Sequence, residues 1–417
     1  MTPPEPGLAR RLGTRDAVVI GLGSMIGAGV FAAFGPAARA AGTGLLIGLA
    51  IAAVIAYCNA TASAQLAAAY PTSGGTYVYG RERLGDWPGF VAGWGFVVGK
   101  TASCAAMALT FATYAVPAPG WPQRLVAVVG VLGLTALNYR GITRTAALTR
   151  ILVTCTLLAL TVIVVAIAVS DGTGHAALGG WRAGGVFGIL RSAGLLFFAF
   201  AGYARIATLG EEVRNPERTI PRAIPTALGI AVVVYLVVGT SALLAAGPDR
   251  LAAASAPLAE AVRAAGAGAI TPVVRVGGVL ASLGALLALI AGVSRTSLAM
   301  ARNQDLPRWL AAVHPRHQVP HHADLALAAV IIPLVLTADL RDVIGFSSFG
   351  VLVYYLVTNI AAWTQPREQR RWPRGLNVLG ALGCAVLAAT LPLTSVLTGL
   401  AVFAVGIAGR FVVLRVR

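Results

Sequence analysis

Charge, cysteine and long polar stretches are scarce in this chain of 417 residues. Charged residues make up 11% of it and hydrophobic residues 57%, a composition that excludes an ordinary soluble domain. The cysteines stand singly in apolar segments, so their spacing indicates neither a disulfide framework nor a metal site. They are Cys58, Cys104, Cys155 and Cys384. No cofactor-binding motif is visible, so no cofactor is expected.

Apolar segments, by contrast, are long and numerous. Twelve of them follow one another, and most reach the ~20 apolar residues that a spanning helix needs. Because irregular backbone cannot face lipid, we predict an all-α integral membrane protein with about twelve transmembrane helices. The approximate spans are 17–41, 44–69, 87–115, 123–139, 147–169, 186–210, 222–246, 271–300, 325–338, 342–364, 375–391 and 393–414.

Arginine is the basic residue at every position but one. The net charge of +17 would suit a nucleic acid, but the arginines lie between apolar segments and form no basic face, so no nucleic acid partner is expected. With the N-terminus inside the cell, the inner loops and tails hold 21 arginines and the outer loops hold 7. This excess predicts a multi-pass plasma-membrane protein with both termini in the cytoplasm, residues 1–16 forming the N-terminal tail.

Two spans carry an interruption near their middle. The first contains four glycines between Gly21 and Gly29, and Gly202 interrupts the aromatic run of the sixth. Interruptions at corresponding positions of two halves indicate a transporter site between inverted repeats, here 17–169 and 186–364, followed by two helices and the C-terminus over 375–417. Freed N–H groups suit a carboxylate and freed carbonyls suit an ammonium group, and an α-amino acid carries both. Alternatively, the glycines only allow close helix packing.

Lys100 is the only lysine, and it lies about halfway along the third span. Because a lysine at a helix centre costs ~2.5–3.5 kcal/mol on insertion scales, its side chain should face the interior or water. We hypothesise that Lys100 lines the substrate site, disfavours basic amino acids and takes part in proton coupling. The alternatives are snorkelling towards the interface and an internal ion pair.

Four stretches resemble the amino acid–polyamine–organocation (APC) superfamily of permeases. "GLGSMIGAGVF" resembles its first-helix signature, and "YPTSGGTYVY" resembles the segment before its third helix. "FFAFAGYARIATLGEEVRNPERTIPRAI" resembles the motif that joins its sixth and seventh helices, and residues 294–323 resemble the inner loop after its eighth. The similarity covers roughly residues 14–365. It implies a leucine-transporter-like 5+5 inverted repeat with broken helices 1 and 6.

The resemblance also implies a set of site residues. The amides of Ala28 and Gly29 would hold the substrate carboxylate. The carbonyls on both breaks would hold its amine; they belong to Met25, Ile26, Phe198 and Ala201, next to Gly202. Phe198 would also cover the substrate, or else simply pack in the core. Many family members carry a lysine in helix 5, where this chain has Thr156, so proton coupling at that position is in doubt.

Charges and prolines near the inner ends of helices 6 to 8 raise further expectations. Four charges could latch a cytoplasmic gate, or merely cap helix ends; they are Arg205, Glu211, Glu212 and Arg295. Asn215-Pro216 and Pro221 are expected to form turns in the loop before helix 7. The inner segment 70–86 is expected to fold back towards the bundle, and the outer loop 247–270 to form a surface helix.

Four histidines stand within nine positions of the loop after helix 8, namely His314, His317, His321 and His322. Such a cluster is typical of metal-binding sites. Their stretch follows the family's usual loop pattern, however, and no carboxylate or cysteine completes a shell. No metal is therefore expected there.

The predicted function is secondary transport of amino acids across the bilayer by alternating access, coupled to protons or working by exchange. The alternative within the superfamily is a polyamine or other organic amine. A membrane enzyme would need facing acid, base or metal residues in the spans, and a channel would need a polar pore lining; neither is found. Which amino acid is carried, in which direction and stoichiometry, and by what oligomer are left open.

Overall fold

The computed structural model describes residue 10 and residues 12–72, 74–140, 145–170 and 184–415, with the side chains of 145–148 left aside. Most of the predicted N-terminal tail lies outside these ranges. Seventeen α-helices are found in the described residues: α1 Thr14–Met25, α2 Ala28–Ala32, α3 Phe34–Ala41, α4 Leu45–Ala69, α5 Thr76–Leu84, α6 Asp86–Ala115, α7 Trp121–Tyr139, α8 Thr145–Val169, α9 Gly185–Phe200, α10 Ala204–Ala207, α11 Pro216–Ala253, α12 Pro257–Ala264, α13 Thr271–Arg302, α14 His321–Thr337, α15 Leu340–Trp363, α16 Arg374–Thr390 and α17 Leu393–Arg415.

This order of helices fits about twelve spans. Nine helical stretches of the described chain are long and apolar enough to cross a membrane, and α14 and α16 are shorter apolar helices. Helices α1 to α3 together occupy the first predicted span, α9 and α10 the sixth, and α5 and α12 lie between spans. The remaining helices each match one predicted span, so the all-α membrane fold is confirmed.

Several predicted boundaries differ from the observed ones. Helix α11 begins at Pro216 and contains Pro221, which was expected in the loop before it. A proline at the first helical position costs no hydrogen bond, because the N–H there has no partner within the helix. A proline further inside removes one backbone hydrogen bond, and a membrane bundle tolerates that loss. The seventh helix therefore starts six residues before the predicted position 222.

Two loop expectations are met in a modified form. Segment 70–86 holds the short helix α5, whose Tyr77 and Tyr79 are fully buried in the bundle. In the outer loop 247–270 the surface helix is only α12, because α11 continues past a kink at Gly247 as far as Ala253. Both insertions thus pack on the bundle instead of extending from it.

A buried ion network ties α5, the end of α17 and the segment after α13 together at one end of the bundle. The Asp305 carboxylate accepts hydrogen bonds from the Tyr77 hydroxyl at 2.7 Å and the Arg81 guanidinium at 2.8 Å, and pairs with Arg410 at 3.0 Å. Burial and the Asp305 carboxylate raise the pKa of Tyr77, so this phenol stays a neutral donor. Arg410 also lies over the Trp87 ring, 4.6 Å from its centroid.

Helices α6 and α15 approach each other so closely that their backbones touch at three glycines. A Cβ atom added to Gly350 would lie 2.8 Å from the Gly99 Cα and 2.9 Å from the Gly95 carbonyl oxygen. Small residues permit such contact between membrane helices, where dispersion forces replace the hydrophobic effect. This contact holds Lys100, the next residue of α6, at a fixed depth in the bundle.

We expect Gly350→Ala to destabilise the protein, because the backbone of α6 leaves the methyl group no room, and overpacking costs about 1–3 kcal/mol. Thermal unfolding of the purified protein in detergent should show a lower Tm. Gly292→Ala on α13 is the matched control, since its Cβ would meet nothing within 4 Å. Equal Tm values for the two variants would contradict the proposed contact.

Candidate substrate site at the two helix breaks

The first span is broken between Met25 and Ala28. Helix α1 ends at Met25, and Ile26 (φ −80°, ψ 60°) and Gly27 (φ −111°, ψ −143°) leave the helical conformation. Among the described residues, no side chain caps the start of α2 at Ala28. The first N–H groups of a helix have no partner within it, so those of Ala28 and Gly29 are available to a ligand.

The sixth span is broken at the predicted glycine, but in a milder form. Helix α9 ends at Phe200, a single 3₁₀ turn covers Ala201–Tyr203, and α10 continues only over Ala204–Ala207. The helical part after the break therefore ends before the predicted residue 210, and turns occupy 208–212. A 3₁₀ turn changes the hydrogen-bond register, which redirects the carbonyl groups around Ala201.

Both breaks are in direct backbone contact. A Cβ atom on Gly202 would collide with the Ser24 carbonyl oxygen and lie 2.5 Å from the Met25 nitrogen. A Cβ on Gly29 would lie 2.7 Å from the Ala199 Cα, and one on Gly27 would lie 2.5 Å from the Ala285 Cβ of α13. These glycines thus allow α1, α2, α9 and α13 to meet at one point. Gly21 and Gly23 also pack closely, against Ile206 and against Thr149 and Val153.

Tyr235 of α11 joins the two breaks, and the sequence analysis missed it. Its buried hydroxyl lies 2.5 Å from the Met25 carbonyl oxygen and 3.0 Å from the Ala199 carbonyl oxygen, so its single O–H hydrogen is shared between these two acceptors. The signal was present, because Tyr235 is a lone hydroxyl in the apolar run "AVVVYLVV". A polar tip buried in such a run needs an acceptor, and carbonyls beside a break supply one.

Lys100 lies at the second break. Its side chain points into the bundle, 5% of the residue is exposed, and its Nζ donates to the Ala201 carbonyl oxygen at 3.0 Å. The Tyr355 hydroxyl of α15 reaches the same oxygen at 3.4 Å. Within the described ranges no carboxylate pairs with Lys100, so it neither snorkels nor forms an internal ion pair. In this state the carbonyl expected to face a substrate amine has protein donors.

The other predicted site residues are placed as follows. Phe198 is buried one turn before the sixth-span break, and Met25, Ile26 and Ala28 are buried at the first. Thr156 of α8 lines a cavity of about 20 Å³, together with Gly23, Ile26 and residues of α13, which is room for a single water molecule. A larger apolar cavity of about 600 Å³ lies between α6, α13, α14, α15 and α17, and no break residue lines it.

The gate candidates are brought together only in part. Arg295 of α13 pairs with Glu212 at 3.0 Å, which links α13 to the turns after α10. Arg205 instead donates to the Thr208 hydroxyl at 3.1 Å. Glu211 belongs to the same turns as Glu212.

Backbone bonds add a second link at this end of the bundle. The Leu12 N–H donates to the Glu212 carbonyl at 3.0 Å, and the Arg214 N–H donates to the Leu12 carbonyl at 2.9 Å. Leu12, just before α1, is thereby attached to the segment that follows the sixth span.

Three of the four clustered histidines pack around one aromatic ring, and His322 lies against Trp309 instead. The rings of His314, His317 and His321 lie 5.4 to 6.3 Å from that of Tyr139, centroid to centroid. His321 and His322 belong to α14, which begins four residues before the predicted ninth span. The part of the chain that the structure describes holds no group of three or more His, Cys, Asp or Glu placed to hold a metal.

Asp324 of α14 is a buried carboxyl that the sequence analysis did not single out. It accepts hydrogen bonds from the Asn138 amide at 2.8 Å and from the Ser294 hydroxyl. These bonds connect α7, α13 and α14. Ser294 precedes the gate candidate Arg295, so the same turn of α13 is held by a hydrogen bond on one side and an ion pair on the other.

Comparison with known proteins agrees with this architecture. The family model described as amino acid permease matches residues 12–413. The chain belongs to the amino acid permease family. This family is part of the APC superfamily, so the resemblance drawn from the four motifs is confirmed. The permease is a multi-pass membrane transporter of amino acids and not an enzyme.

The relatives of this permease include proteins from bacteria and plants. An uncharacterised transporter of Mycobacterium tuberculosis is 61% identical over 401 residues, which cover 96% of this chain and 90% of the relative. The branched-chain amino acid permease BcaP of Bacillus subtilis is 25% identical, over 90% of this chain and 85% of its own. Cationic amino acid transporter 7, chloroplastic, of Arabidopsis thaliana is 29% identical over a match that covers 84% of this chain and 65% of the relative.

We expect Gly202→Ala to reduce amino acid uptake about tenfold, because the added methyl group forces the two breaks apart at a cost of about 1–3 kcal/mol. Uptake into liposomes, normalised to the amount of inserted protein, is the measurement. Gly229→Ala on α11, where a Cβ would meet nothing within 4 Å, should transport like the wild type. Unchanged uptake by Gly202→Ala would mean that the breaks need not touch.

Proposed function

We propose that this permease is a secondary active transporter that binds an α-amino acid at the two helix breaks and moves it by alternating access. The observation that carries the proposal is the double contact between the two breaks: Gly202 of the 3₁₀ turn lies against the end of α1 at Ser24 and Met25, and Gly29 in the uncapped first turn of α2 lies against Ala199 of α9. One break offers N–H donors and the other offers carbonyl acceptors, within a few ångströms of each other. Free backbone groups at membrane depth are tolerated where they line a binding site.

In this proposal the substrate carboxylate binds the N–H groups of Ala28 and Gly29, where the helix dipole also favours an anion. The ammonium group is held by carbonyls of the first break, at Met25 and Ile26, and of the second, at Phe198 and Ala201. The Phe198 ring covers the bound molecule. A polyamine lacks the carboxylate and would leave the α2 donors unsatisfied, which makes it the weaker candidate.

Alternating access needs an end of the bundle that opens. The Glu212–Arg295 ion pair and the Leu12 backbone bonds close the end that carries the N-terminus. We infer that this end is cytoplasmic, because the inner loops carry most of the arginines, and that the protein lies in the plasma membrane. The two repeats, 17–169 and 186–364, would move against each other around the site.

Energy for uptake would come from a gradient, either of protons or of a second amino acid. Lys100 is the candidate proton carrier, since it lies at the break and Thr156 stands where the resemblance to the superfamily implies a helix-5 lysine. Arg205 and Glu211 lie at the same end of the bundle and remain candidates for the gate.

We expect purified protein in liposomes to accumulate an amino acid saturably and stereoselectively. A thermal-shift screen of the twenty amino acids would first identify the substrate, because a ligand that binds the folded state raises Tm. A proton gradient applied without internal substrate should drive uptake if transport is symport, whereas exchange requires preloaded liposomes. Flux that rises linearly with concentration and ignores stereochemistry would contradict a carrier.

Reversing one charge of the gate pair should impair transport, and reversing both should restore it. In Glu212→Arg two guanidinium groups face each other, and since a partly exposed pair contributes about 0.2–1 kcal/mol, we expect uptake to fall about two- to fivefold. Adding Arg295→Glu should recover most of the loss. Reversal of the Glu260–Arg263 pair on α12, whose atoms lie 2.7 Å apart, is the control and should change nothing. Failure of the double variant to recover would exclude this pair as the gate.

A further inference from the structure

Lys100 presents an incompletely satisfied ammonium group at the second break. An ammonium group carries three N–H donors, and the hydrogen bond of this one goes to the Ala201 carbonyl oxygen at 3.0 Å. That oxygen is shared with the Tyr355 hydroxyl. A buried cation of this kind costs free energy unless an anion pairs with it.

The described part of the chain does not provide that anion. No carboxylate there lies within the 4.0 Å of an ion pair with Lys100, and the seven ion pairs found all involve arginine. The described acidic residues stand in loops or near helix ends: Asp16, Glu82, Asp86, Glu211, Glu212, Glu217, Asp249, Glu260, Asp305, Asp324, Asp339, Asp342 and Glu368. A charged Lys100 would therefore take its anionic partner from a bound molecule.

The position of Lys100 indicates which group of that molecule it meets. Its Nζ lies on the carbonyl where the sixth span leaves the α-helix, whereas the α-carboxylate of the substrate is assigned to the Ala28 and Gly29 amides on the first span. The α-carboxylate is thus already provided for. Lys100 is left for a second anionic group, and the amine on a flexible stem can reach over a short distance to meet it.

We propose that the substrate is an acidic amino acid, whose side-chain carboxylate pairs with Lys100. This inference rests on the proposed function and extends it from a substrate family to a substrate class. A charge-assisted hydrogen bond between ammonium and carboxylate compensates both buried charges. A side-chain amide of the same shape brings no charge and leaves Lys100 unpaired, and a basic side chain adds repulsion.

The test compares pairs of amino acids of equal shape. Liposomes that contain the full-length protein are supplied with radiolabelled L-glutamate or L-glutamine, and separately with L-aspartate or L-asparagine. We expect at least one acid to be taken up about tenfold or more faster than its amide, because a hydrogen bond to a charged group contributes about 1.5–3 kcal/mol. L-Lysine should not compete.

Three variants locate the effect. Lys100→Gln removes the charge and should abolish the preference for the acid, whereas Lys100→Arg keeps the charge and should retain the preference. Cys104→Ala, one turn further on the same buried face of α6, should behave like the wild type. Size-exclusion profiles and Tm values show which variants fold.

The outcomes are distinguishable. Equal uptake of acid and amide by the wild type, or a preference that survives Lys100→Gln, overturns the acidic substrate while amino acid transport itself stands. Absence of uptake or binding of any amino acid by folded wild-type protein overturns the proposed function and this inference with it. If Lys100→Gln does not fold, the comparison of acid and amide uptake by the wild type still tests the acidic substrate, since it needs no variant.

Discussion

Backbone hydrogen bonding inside an apolar bundle is the constraint on which this structure depends. A spanning helix satisfies its own N–H and C=O groups, and each interruption sets some of them free where no water is present. The permease places its two interruptions in contact, at Gly202 and the Ser24–Met25 backbone, and bridges them with the Tyr235 hydroxyl. Glycine is required at this contact because any side chain would push the first and sixth spans apart.

In the proposed function, donors at the start of α2 and carbonyls of the two breaks would bind the two charged ends of a zwitterion. In the structure the Ala201 carbonyl has protein donors, which a substrate amine would have to replace. Because backbone groups do not distinguish one amino acid side chain from another, selectivity would come from side chains nearby. Lys100 is the charged one among them, and its contact with Ala201 places the cation at the break itself.

Charge elsewhere is kept at the two ends of the bundle. Arginine pairs with Asp305, Asp86 and Glu212 near the end that carries the N-terminus, where it attaches loops and short helices to the spans. Such pairs contribute little to stability individually when exposed. In the proposed mechanism, these pairs join segments that would separate when the site opens. The buried Asp324 connects three helices in the same region.

Much of this could be read from the chain alone. Runs of about 20 apolar residues determined the number and order of the spans, and the glycine positions determined where two of them break, because both properties are local to a few turns of backbone. The start of α11 at Pro216 was predicted too late. The same residue type can break a helix or begin one, so a proline alone does not tell the two apart. The milder 3₁₀ form of the second break was also not foreseen. Which groups meet across the bundle was decided only by the tertiary structure: Tyr235 with Met25, Lys100 with Ala201, and Arg295 with Glu212. These partners are 83 to 210 residues apart, so their pairing depends on how whole helices pack, which a single sequence does not specify.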